Sequence, residues 1–496
     1  MKYITRIRPN YRAKISTMRI MVDLSLALSA LVLFATVYYT NKVNLQVGLR
    51  VIYITLTAVI TNILIELLIG HFQKRSVKQV FKQQFPWVTG LIFALIVPVT
   101  TNLYVVGMTT AISVIFGKVI FGGFGQNIFN PAGIGRAIVF SSFAKPVVEK
   151  IVSTNDVFTN ATPANLMASF DWLPSLAAFD SKAFAHIDLK ALAIGDHFGT
   201  IGETFSVLIV ILGIFLVVRN VIDWRIPVVY VGTLFVSAFI IGAVNGLDIW
   251  YPLAFVMSGG VLFGAVFMLT DPVTCPTQVT GRVVFALGAA IITMLIRFKA
   301  NLPEGVVFSI LIMNMLTPLI EDFFDGQQTR MKKKYLSTVI AMLVLTGLSV
   351  TWIAASTVMI EPTLDMGTPI TLADENIEPY EVTDITSVEE AGSTVYTVSV
   401  EGYGLVDSEY PNPAYKENVY KVTVDASNKI VSASMEEFGD TVGFGDKVND
   451  ELYFATFIGK DLLSDSEEYD TVSSATKTSY SFVKALKAIS EEIGAK

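Results

Sequence analysis

The sequence predicts a polytopic α-helical membrane protein, with about ten transmembrane helices plus an eleventh, followed by a C-terminal α+β domain outside the membrane. Of its 496 residues, 52% are hydrophobic and only 16% are charged, whereas a soluble protein is about 25% charged. Charge also divides the chain. Residues 358–496 contain 9 Lys and Arg against 27 Asp and Glu, whereas residues 1–357 contain 27 against 16. A basic apolar body therefore precedes an acidic, water-soluble end.

Apolar segments of membrane-spanning length recur along the body. A helix needs about 20 mostly apolar residues to cross the hydrocarbon core. The candidate spans are 18–40, 50–70, 86–105, 107–121, 131–148, 204–219, 226–244, 250–270, 281–298, 304–321 and 336–357. The third, fourth and fifth run together, and the fourth is short, so we expect a re-entrant or broken helix there.

Basic residues in the connecting segments orient these spans. The segments KYITRIRPNYRAK, HFQKRSVKQVFK, RNVIDWR and TRMKKK fall on one side, which the positive-inside rule makes cytoplasmic. The loop 145–203 and all residues after 357 are then predicted to lie outside. Arg297 and Lys299 are exceptions, because this count places their loop on the outer side. The first apolar run is too long, and lacks the small-residue site, for a cleavable signal peptide.

Cysteine and histidine usage limits the redox chemistry of the chain. One cysteine, Cys275, cannot form an internal disulfide, a four-cysteine iron–sulfur site or a structural zinc site. His71, His186 and His197 are too scattered for a metal or haem site, and we interpret all four residues as structural. No metal, no catalytic side chain and no nucleic-acid partner is predicted, so redox chemistry requires an organic cofactor or a partner.

The end of the chain contains the signals of a small α+β domain. Residues 358–390 are polar and acidic and are predicted to be a linker or irregular segment. Alternating segments then predict strands, at 394–400, 419–425, 429–436 and 453–458. Ser-Asn-Lys between the second and third predicts a hairpin, and the spacing of Phe482, Leu486 and Ile489 predicts a final helix.

One motif occurs in both halves, with the pattern D-x-x-[ST]-x-A-T. It spans Asp156–Thr162 in the outer loop and Asp470–Thr476 before the last helix. Amide groups at a helix start favour an anion, and a threonine hydroxyl can be esterified by a phosphate. Each copy alone is also what a helix N-cap requires, and Asn160 to Thr162 fits a glycosylation sequon.

The motif resembles the S-G-A-T-type sequence at which flavin mononucleotide (FMN) is joined to threonine in Rnf complexes and the sodium-pumping quinone reductase. Four segments of the body resemble the D subunit of Rnf-type ion-translocating oxidoreductases and the related B subunit of that reductase. They are GGFGQNIFNPA (122–132), GET (202–204), GGVLFGAVFMLTDPVTCP (259–276) and PEGVVFSILIMNMLT (303–317). The resemblance covers roughly 15–325, and Cys275 replaces the usual serine.

The end of the chain resembles the G subunit of Rnf complexes, which has one membrane helix and an external FMN-binding domain. GDTVGFGDKV (439–448) is similar to that family's E-T-P-G-L-G-x-K-I, with Asp440, Val442 and Phe444 as departures. Asn160 and Ser474 replace the usual glycine of the attachment motif. The resemblance implies three parts: an RnfD-like membrane domain at 1–325, a transmembrane helix and linker at 326–390, and an extracytoplasmic, RnfG-like FMN-binding domain at 391–496.

The resemblance also implies the cofactor sites. FMN is expected as a phosphoester on Thr162 and on Thr476, as two covalent groups. The other cofactor-binding candidates surround these threonines or lie in the glycine segment: Asp156, Thr159, Asn160, Asp470, Ser473, Ser474, Gly443 and Gly445. A further, non-covalent riboflavin is an open expectation.

Polar residues at membrane depth are candidates for an ion path, because charges there usually mark a path or a bound group. Proline frees helix carbonyls that can line a cavity inside protein. On these grounds the candidates are Asn127, Asn130, Asp271 and Glu203. Further charges lie within or at the ends of spans, and Asp23 and Lys118 are also interpretable as interfacial anchors. The others are Glu66 and Arg136.

Together these features predict a flavin-carrying electron-transfer subunit of a redox-driven Na⁺ or H⁺ pump in the cell membrane, not a complete enzyme. Expected partners are other membrane and iron–sulfur subunits, a flavin transferase, and ferredoxin and NAD through partner subunits, because this chain lacks a dinucleotide-binding loop. Two alternatives remain at this point. One is flavin-based electron transfer to external acceptors without pumping, and the other is a non-redox solute transporter or channel.

Overall fold

The computed structural model forms two compact units, one ending near Met359 and the other containing residues 360–496. It describes the ranges 16–42, 44–143, 163–174, 189–195, 199–300, 302, 305–325, 328–357, 367–390, 393–406, 416–439, 448–449, 451–464, 467–472 and 475–495. We call the first the membrane unit and the second the C-terminal unit.

The regular secondary structure described in the membrane unit is helical. Its helices are α1 (Thr17–Lys42), α2 (Leu45–Phe72), α3 (Val77–Gln84), α4 (Pro86–Leu95), α5 (Leu103–Val114), α6 (Pro131–Ser142), α7 (Pro163–Ser169), α8 (Leu189–Ile194), α9 (Ser206–Val218), α10 (Arg225–Val244), α11 (Trp250–Met257), α12 (Val261–Phe263), α13 (Val279–Lys299), α14 (Gly305–Phe324) and α15 (Gln328–Ser356).

Helices occur at every predicted span, but they differ in length. Six are long and apolar enough to cross a membrane, and α11 with the segment after it would make a seventh, bent by 60°. The segments Pro86–Leu95, Leu103–Val119 and Ser206–Val218 are shorter apolar helices. The structure therefore supports a polytopic membrane protein, and the predicted total of eleven spans is not confirmed.

Two short apolar helices end in π-helical turns, which are frequent at functional sites. α5 continues into Ile115–Val119, and α12 continues into Gly264–Met268. Each turn is followed by a polar segment with proline, GGFGQNIFNPA after the first and LTDPVTCP after the second. Gly122 and Gly123, at φ of 109° and 104°, adopt left-handed conformations that favour glycine. The expected broken helix at 107–121 is thus a helix ending in a π turn.

The C-terminal unit contains an antiparallel sheet in the order β1-β2-β3-β4. The strands are β1 (Val382–Glu390), β2 (Ser393–Glu401), β3 (Glu417–Asp425) and β4 (Ile430–Glu437). The helices are α16 (Tyr403–Val406), α17 (Glu451–Ala455) and α18 (Thr476–Ala495). α18 packs against the sheet, and Phe482, Leu486 and Ile489 are fully buried in the shared core, as their spacing predicts.

Three of the predicted strands and their hairpin are confirmed. Between β3 and β4, Asn428 has a φ of 63°, and the Asp425 carboxylate accepts hydrogen bonds from the N–H groups of Ser427 and Lys429. Such side-chain to backbone bonds are typical of turns.

Two predictions for this unit are wrong. Residues 453–458 are not a strand: they begin in α17 and continue in the turn after it, and Tyr453, Phe454 and Phe457 are buried. That spacing is helical rather than alternating. The predicted linker also ends too late, since β1 lies inside it. β1 is an edge strand paired on one side only, so it lacks the buried alternation that marks β2 and β3.

Candidate functional site

The π turns of the membrane unit meet at a cavity of about 650 Å³, including the space at its mouth. We call it the inner cavity. Its polar lining consists of Thr89 of α4 and of residues from both turns and the segments after them, Lys118, Asn127, Asn130, Thr270 and Asp271. Its aromatic lining is Phe85, Phe124 and Phe267. Apolar walls with a few convergent polar groups are typical of a small-molecule site.

Asn130 fixes the wall of the inner cavity through bonds to three elements. Its side-chain oxygen accepts the N–H of Ala132 at 3.1 Å and so caps the start of α6. Its backbone N–H donates to Asn314 Oδ1 at 3.0 Å, and its Nδ2 donates to the Met268 carbonyl at 3.5 Å. These bonds make Asn130 a residue that positions the two π turns relative to each other.

Asp271 is held by its own loop. One carboxylate oxygen accepts from Val273 N at 3.2 Å, and the other accepts from Thr274 Oγ1 at 3.3 Å. The Thr274 carbonyl accepts from Asn314 Nδ2 and Thr317 Oγ1 of α14. The predicted candidates Asn127, Asn130 and Asp271 therefore share one cavity, and a carboxylate is fixed in its wall.

Glu203 does not belong to this group. Its Oε1 accepts the N–H of Thr200 at 3.0 Å. Its Oε2 lies only 2.8 Å from where a side-chain carbon of Gly260 would be, so it sits against the break between α11 and α12. The structure thus places Glu203 apart from the other three candidates.

Lys118 is buried, at 1% exposure, which contradicts its interpretation as an interfacial anchor. Its ammonium lies 2.5 Å from Glu66 Oε1 of α2. Asp23 is buried as well, and it pairs with Arg219 at 3.0 Å. Pairing is what a charge in such an environment requires. Lys118 is a lining residue that was missing from the predicted site, although its charge in an apolar segment was visible.

Arg297 explains the exception to the positive-inside rule. α13 extends through Lys299, and the Arg297 side chain points inward with no exposed surface. Its guanidinium donates to the carbonyls of Phe255 and Ser258 and lies 4.3 Å from the ring centroid of Trp172. A cation at freed carbonyls stabilises the C-terminal end of a helix. Arg297 therefore holds the break after α11, and its place in an apolar helix was the available signal.

In the C-terminal unit, Thr476 is the first residue of α18 and is half-buried. Its Oγ1 donates to the Val472 carbonyl at 3.3 Å, and Val472 N donates to Ser479 Oγ at 3.0 Å. The turn before the helix is thereby closed by its own side chains. A threonine here lies at the positive end of a 20-residue helix, which favours a phosphate.

Asp470 lies beside an aromatic cluster. Its carbonyl accepts from the Tyr453 hydroxyl at 3.0 Å, and its carboxylate is 4.0 Å from Lys460 Nζ. Lys460 also lies 5.3 Å from the ring centroids of Phe457 and Tyr469. Burial, reinforced by nearby carboxylates, raises the pKa of Tyr469 to about 12, so its phenol stays neutral at physiological pH.

The remaining predicted residues lie outside the described ones, and their predictions stay predictions. They are Thr162, Asp156, Thr159, Asn160, Ser473, Ser474, Gly443 and Gly445.

Gly439 is the first residue of the segment GDTVGFGDKV (439–448), and the sequence analysis did not include it among the predicted site residues. Its N–H donates to Asn418 Oδ1 at 2.9 Å, and a side-chain carbon there would collide with the backbone of Lys416 and Glu417. Asn418 is fully buried and also donates to Ser481 of α18. The segment GDTVGFGDKV thus leaves the sheet at a point tied to α18, and its first glycine was a visible signal.

Comparisons with known proteins find a match in each of the two units. Residues 4–330 match the NQR2, RnfD, RnfE family, and residues 416–491 match an FMN-binding domain. Similar proteins include the D subunit of a proton-translocating ferredoxin:NAD(+) oxidoreductase complex of Clostridium ljungdahlii. It is 33% identical over 318 residues, which cover 64% of this chain and 92% of the relative.

Two further relatives carry similar descriptions. The D subunit of a Na(+)-translocating ferredoxin:NAD(+) oxidoreductase complex of Acetobacterium woodii is 32% identical over 320 residues, covering 64% of this chain and 91% of the relative. The D subunit of an ion-translocating oxidoreductase complex of Alcanivorax borkumensis is 26% identical over 309 residues, covering 60% and 90%. These names agree with the predicted class, one component of a multi-subunit oxidoreductase. The chain belongs to the NQR2, RnfD, RnfE family and carries an FMN-binding domain at its C-terminal end, which confirms the family predicted from the sequence.

Proposed function

We propose that the chain is a flavin-carrying electron-transfer subunit of a membrane redox-driven pump of the Rnf type, acting within a ferredoxin:NAD oxidoreductase complex. The observation that carries the proposal is the presence of both an RnfD-type membrane domain and an FMN-binding domain in one chain. The names of the relatives support the complex and its pumping activity. The FMN-binding domain argues against the alternative of a non-redox transporter, which has no use for a flavin.

In this proposal Thr476 is esterified by FMN. Thr476 lies at the positive end of α18 and is half-buried, and both features suit a phosphate ester at its hydroxyl. Attachment forms a bond between Thr476 Oγ and phosphorus, while the hydroxyl proton and the leaving group of the transferase's flavin nucleotide depart. When bound, FMN supplies one- and two-electron transfer. The chain's own residues hold the site: the Val472 N–H donates to Ser479 Oγ, a bond that the ester leaves in place, whereas the bond from the threonine hydroxyl to the Val472 carbonyl is lost with its proton.

We extend the proposal to Thr162, which has the same motif. Thr162 and Thr476 then both lie on the outer side of the cell membrane, as the distribution of basic residues predicts. The parts of the chain are those predicted above, 1–325, 326–390 and 391–496, except that the FMN-binding domain also includes β1 (Val382–Glu390). Covalent attachment would keep both flavins on a surface from which a free flavin could diffuse away.

The inner cavity is the place that we propose for a further, non-covalent flavin. Its three phenylalanine rings and its amide groups suit an aromatic ring with polar edges. Asn127, Asn130 and Asp271 would orient that ring. Iron–sulfur subunits, ferredoxin and NAD enter as partners, and Na⁺ or H⁺ as the coupling ion, since the relatives' names include both.

The proposal is tested by the intact mass of the full chain, produced with and without a flavin transferase. We expect two covalent additions, each of one FMN less one water, only when the transferase is present. Thr476→Val and Thr162→Val should each lose one addition, and the double variant both. Thr471→Val, a buried threonine in the same motif, is the matched control and should keep both. A chain that gains no mass would refute covalent attachment.

Pumping is tested separately in the assembled complex. Proteoliposomes should accumulate the coupling ion during electron transfer, and an uncoupled electron flow would favour the alternative without pumping.

A further inference from the structure

Lys118 lines two cavities of the membrane unit. A second cavity, of about 330 Å³ with its mouth, is also lined by Lys118; we call it the loop cavity. Its polar lining includes Glu66, Gln73 and Arg75, from the end of α2 and the basic loop after it. Among the described residues, Lys118 alone lines both cavities. A group that passed directly from one cavity to the other would meet this side chain.

Two bonds hold Lys118 in this position. Its ammonium lies 2.5 Å from Glu66 Oε1 and donates to the Gln84 carbonyl. The side chains of Lys118 and Glu66 are 2% and 4% exposed, so each neutralises a charge that water does not reach. Gln84 is itself fixed, since its Oε1 accepts the N–H of Phe124 at 2.8 Å. The pair is therefore a neutral, dry barrier.

Asn62 marks an unused coordination position beside this pair. It precedes Glu66 by four residues on α2 and so lies on the same helix face. Its side chain is fully buried, and neither its amide oxygen nor its amide nitrogen has a hydrogen-bond partner among the described residues. A buried amide normally has partners. Carboxylate and amide oxygens one turn apart are ligands suited to a hard cation.

A second carboxylate offers Lys118 an alternative partner. Asp271 and Lys118 both line the inner cavity. Lys118 also belongs to the π turn Ile115–Val119, a local irregularity of the helix backbone. Lys118 is therefore paired with one carboxylate and shares a cavity with the other.

We propose that Lys118 is a tethered cation that occupies a monovalent-cation site formed by Glu66 and Asn62, and that it exchanges between Glu66 and Asp271. When its ammonium turns toward Asp271, one Na⁺ or one proton from the loop cavity replaces it at Glu66. The site gains the one positive charge of the entering cation, and each carboxylate then has one counter-ion: Glu66 the Na⁺ or proton, and Asp271 the Lys118 ammonium. This inference rests on the proposed pumping function, to which it would give a gate.

The test is the reactivity of Glu66 toward dicyclohexylcarbodiimide, which modifies protonated carboxyl groups in apolar surroundings. The full chain in detergent is labelled, and the peptide containing Glu66 is quantified by mass spectrometry. In the native chain Lys118 should protect Glu66. In Lys118→Met, labelling should be faster by at least about tenfold, the change that loss of roughly 1.4 kcal/mol produces.

Competition identifies the cation. If the site takes Na⁺, sodium chloride should slow the labelling of Lys118→Met, whereas choline chloride should not. Adding Asn62→Leu should abolish that protection while leaving the labelling itself. If the site takes only protons, labelling should rise as pH falls, with no effect of Na⁺. Lys74→Met, at an exposed lysine of the nearby loop, is the matched control and should behave as the native chain.

Labelling of Lys118→Met at the native rate would overturn the proposal. Should that variant fail to fold, Asp271→Asn gives an independent test. Removing the alternative partner should hold Lys118 on Glu66 and slow the labelling below the native rate, so equal or faster labelling contradicts the exchange. The assay needs no flavin, so a missing flavin on Thr476 would leave its outcome unchanged.

Discussion

Two ion pairs of the same chemistry and the same length lie in different surroundings in this protein. In the membrane unit, Lys118 and Glu66 are 2.5 Å apart with side chains 2% and 4% exposed. In the C-terminal unit, Lys487 and Glu378 are also 2.5 Å apart, but 24% and 57% exposed. Distance alone therefore says little about what a pair contributes. The difference lies in solvent, because a buried charge that loses its partner cannot recover hydration.

The largest effect is expected when the buried pair is broken on one side. Glu66→Leu removes the partner that holds Lys118 in this structure and should destabilise the chain by about 3–5 kcal/mol, less the part that pairing of Lys118 with Asp271 recovers. Unfolding of the full chain in mixed detergent and sodium dodecyl sulfate, followed by tryptophan fluorescence, measures this. The double variant Glu66→Leu/Lys118→Leu removes both charges and should be closer to the native chain. If the double variant is as unstable as the single one, the cost is packing rather than charge.

The next effect concerns Arg297, a buried cation whose described hydrogen-bond partners are carbonyls. Arg297→Met should cost about 1.5–3 kcal/mol, the value of hydrogen bonds to a charged group, since the carbonyls of Phe255 and Ser258 lose their donor. Amide hydrogen exchange should increase in α11 and at the break after it, and remain native in the C-terminal unit. Unchanged exchange at the break would show that Arg297 does not hold it. Lys299→Met, at an exposed position of the same helix, is the control.

A neutral buried contact gives a smaller effect. Asn418→Ala removes the acceptor of the Gly439 N–H in the core of the C-terminal unit, and should cost about 1–3 kcal/mol. Hydrogen exchange of β3 and β4 in the full chain measures it, with Asn428→Gly in the exposed hairpin as the control. Native exchange in Asn418→Ala would mean that water replaces the lost bond.

The smallest effect is expected at the exposed pair. Hydrogen bonds from Lys487 and Lys484 hold the pKa of Glu378 below its usual value. A lowered pKa stabilises the fold above the unfolded-state value of about 4.3, and this contribution is lost as pH falls through the folded-state pKa. Glu378→Gln should therefore slightly increase exchange of the C-terminal unit near neutral pH, and the difference from the native chain should vanish in acid. A difference that persists in acid would show that the carboxylate charge is not its source.

Local sequence patterns predict the elements that bury a face of their own, but they do not predict contacts between segments that are distant in the sequence. The helices of the membrane unit and the strands β2, β3 and β4 follow from local hydropathy, because each buries a face defined by its own period. The sequence predicts a strand where α17 lies, because a segment of five to six mostly apolar residues fits the period of a strand and that of a helix equally well. β1 was missed because an edge strand buries little. The polar character of Asn127, Asn130 and Asp271 at membrane depth predicts them as candidates for one site. Glu203 has the same character, and only the packing of distant segments separates it from the other three.

The sequence by itself determined the division into an apolar basic body and an acidic end, the family, and the two threonine motifs, because composition and short patterns carry that information locally. Only the tertiary structure decided which polar groups meet. Lys118 and Glu66 lie 52 residues apart and Arg297 lies 39 residues from Ser258, and no periodicity links such positions. The physical reason is that a membrane interior forces each charge to find a partner, while the packing of the helices determines which partner is within reach.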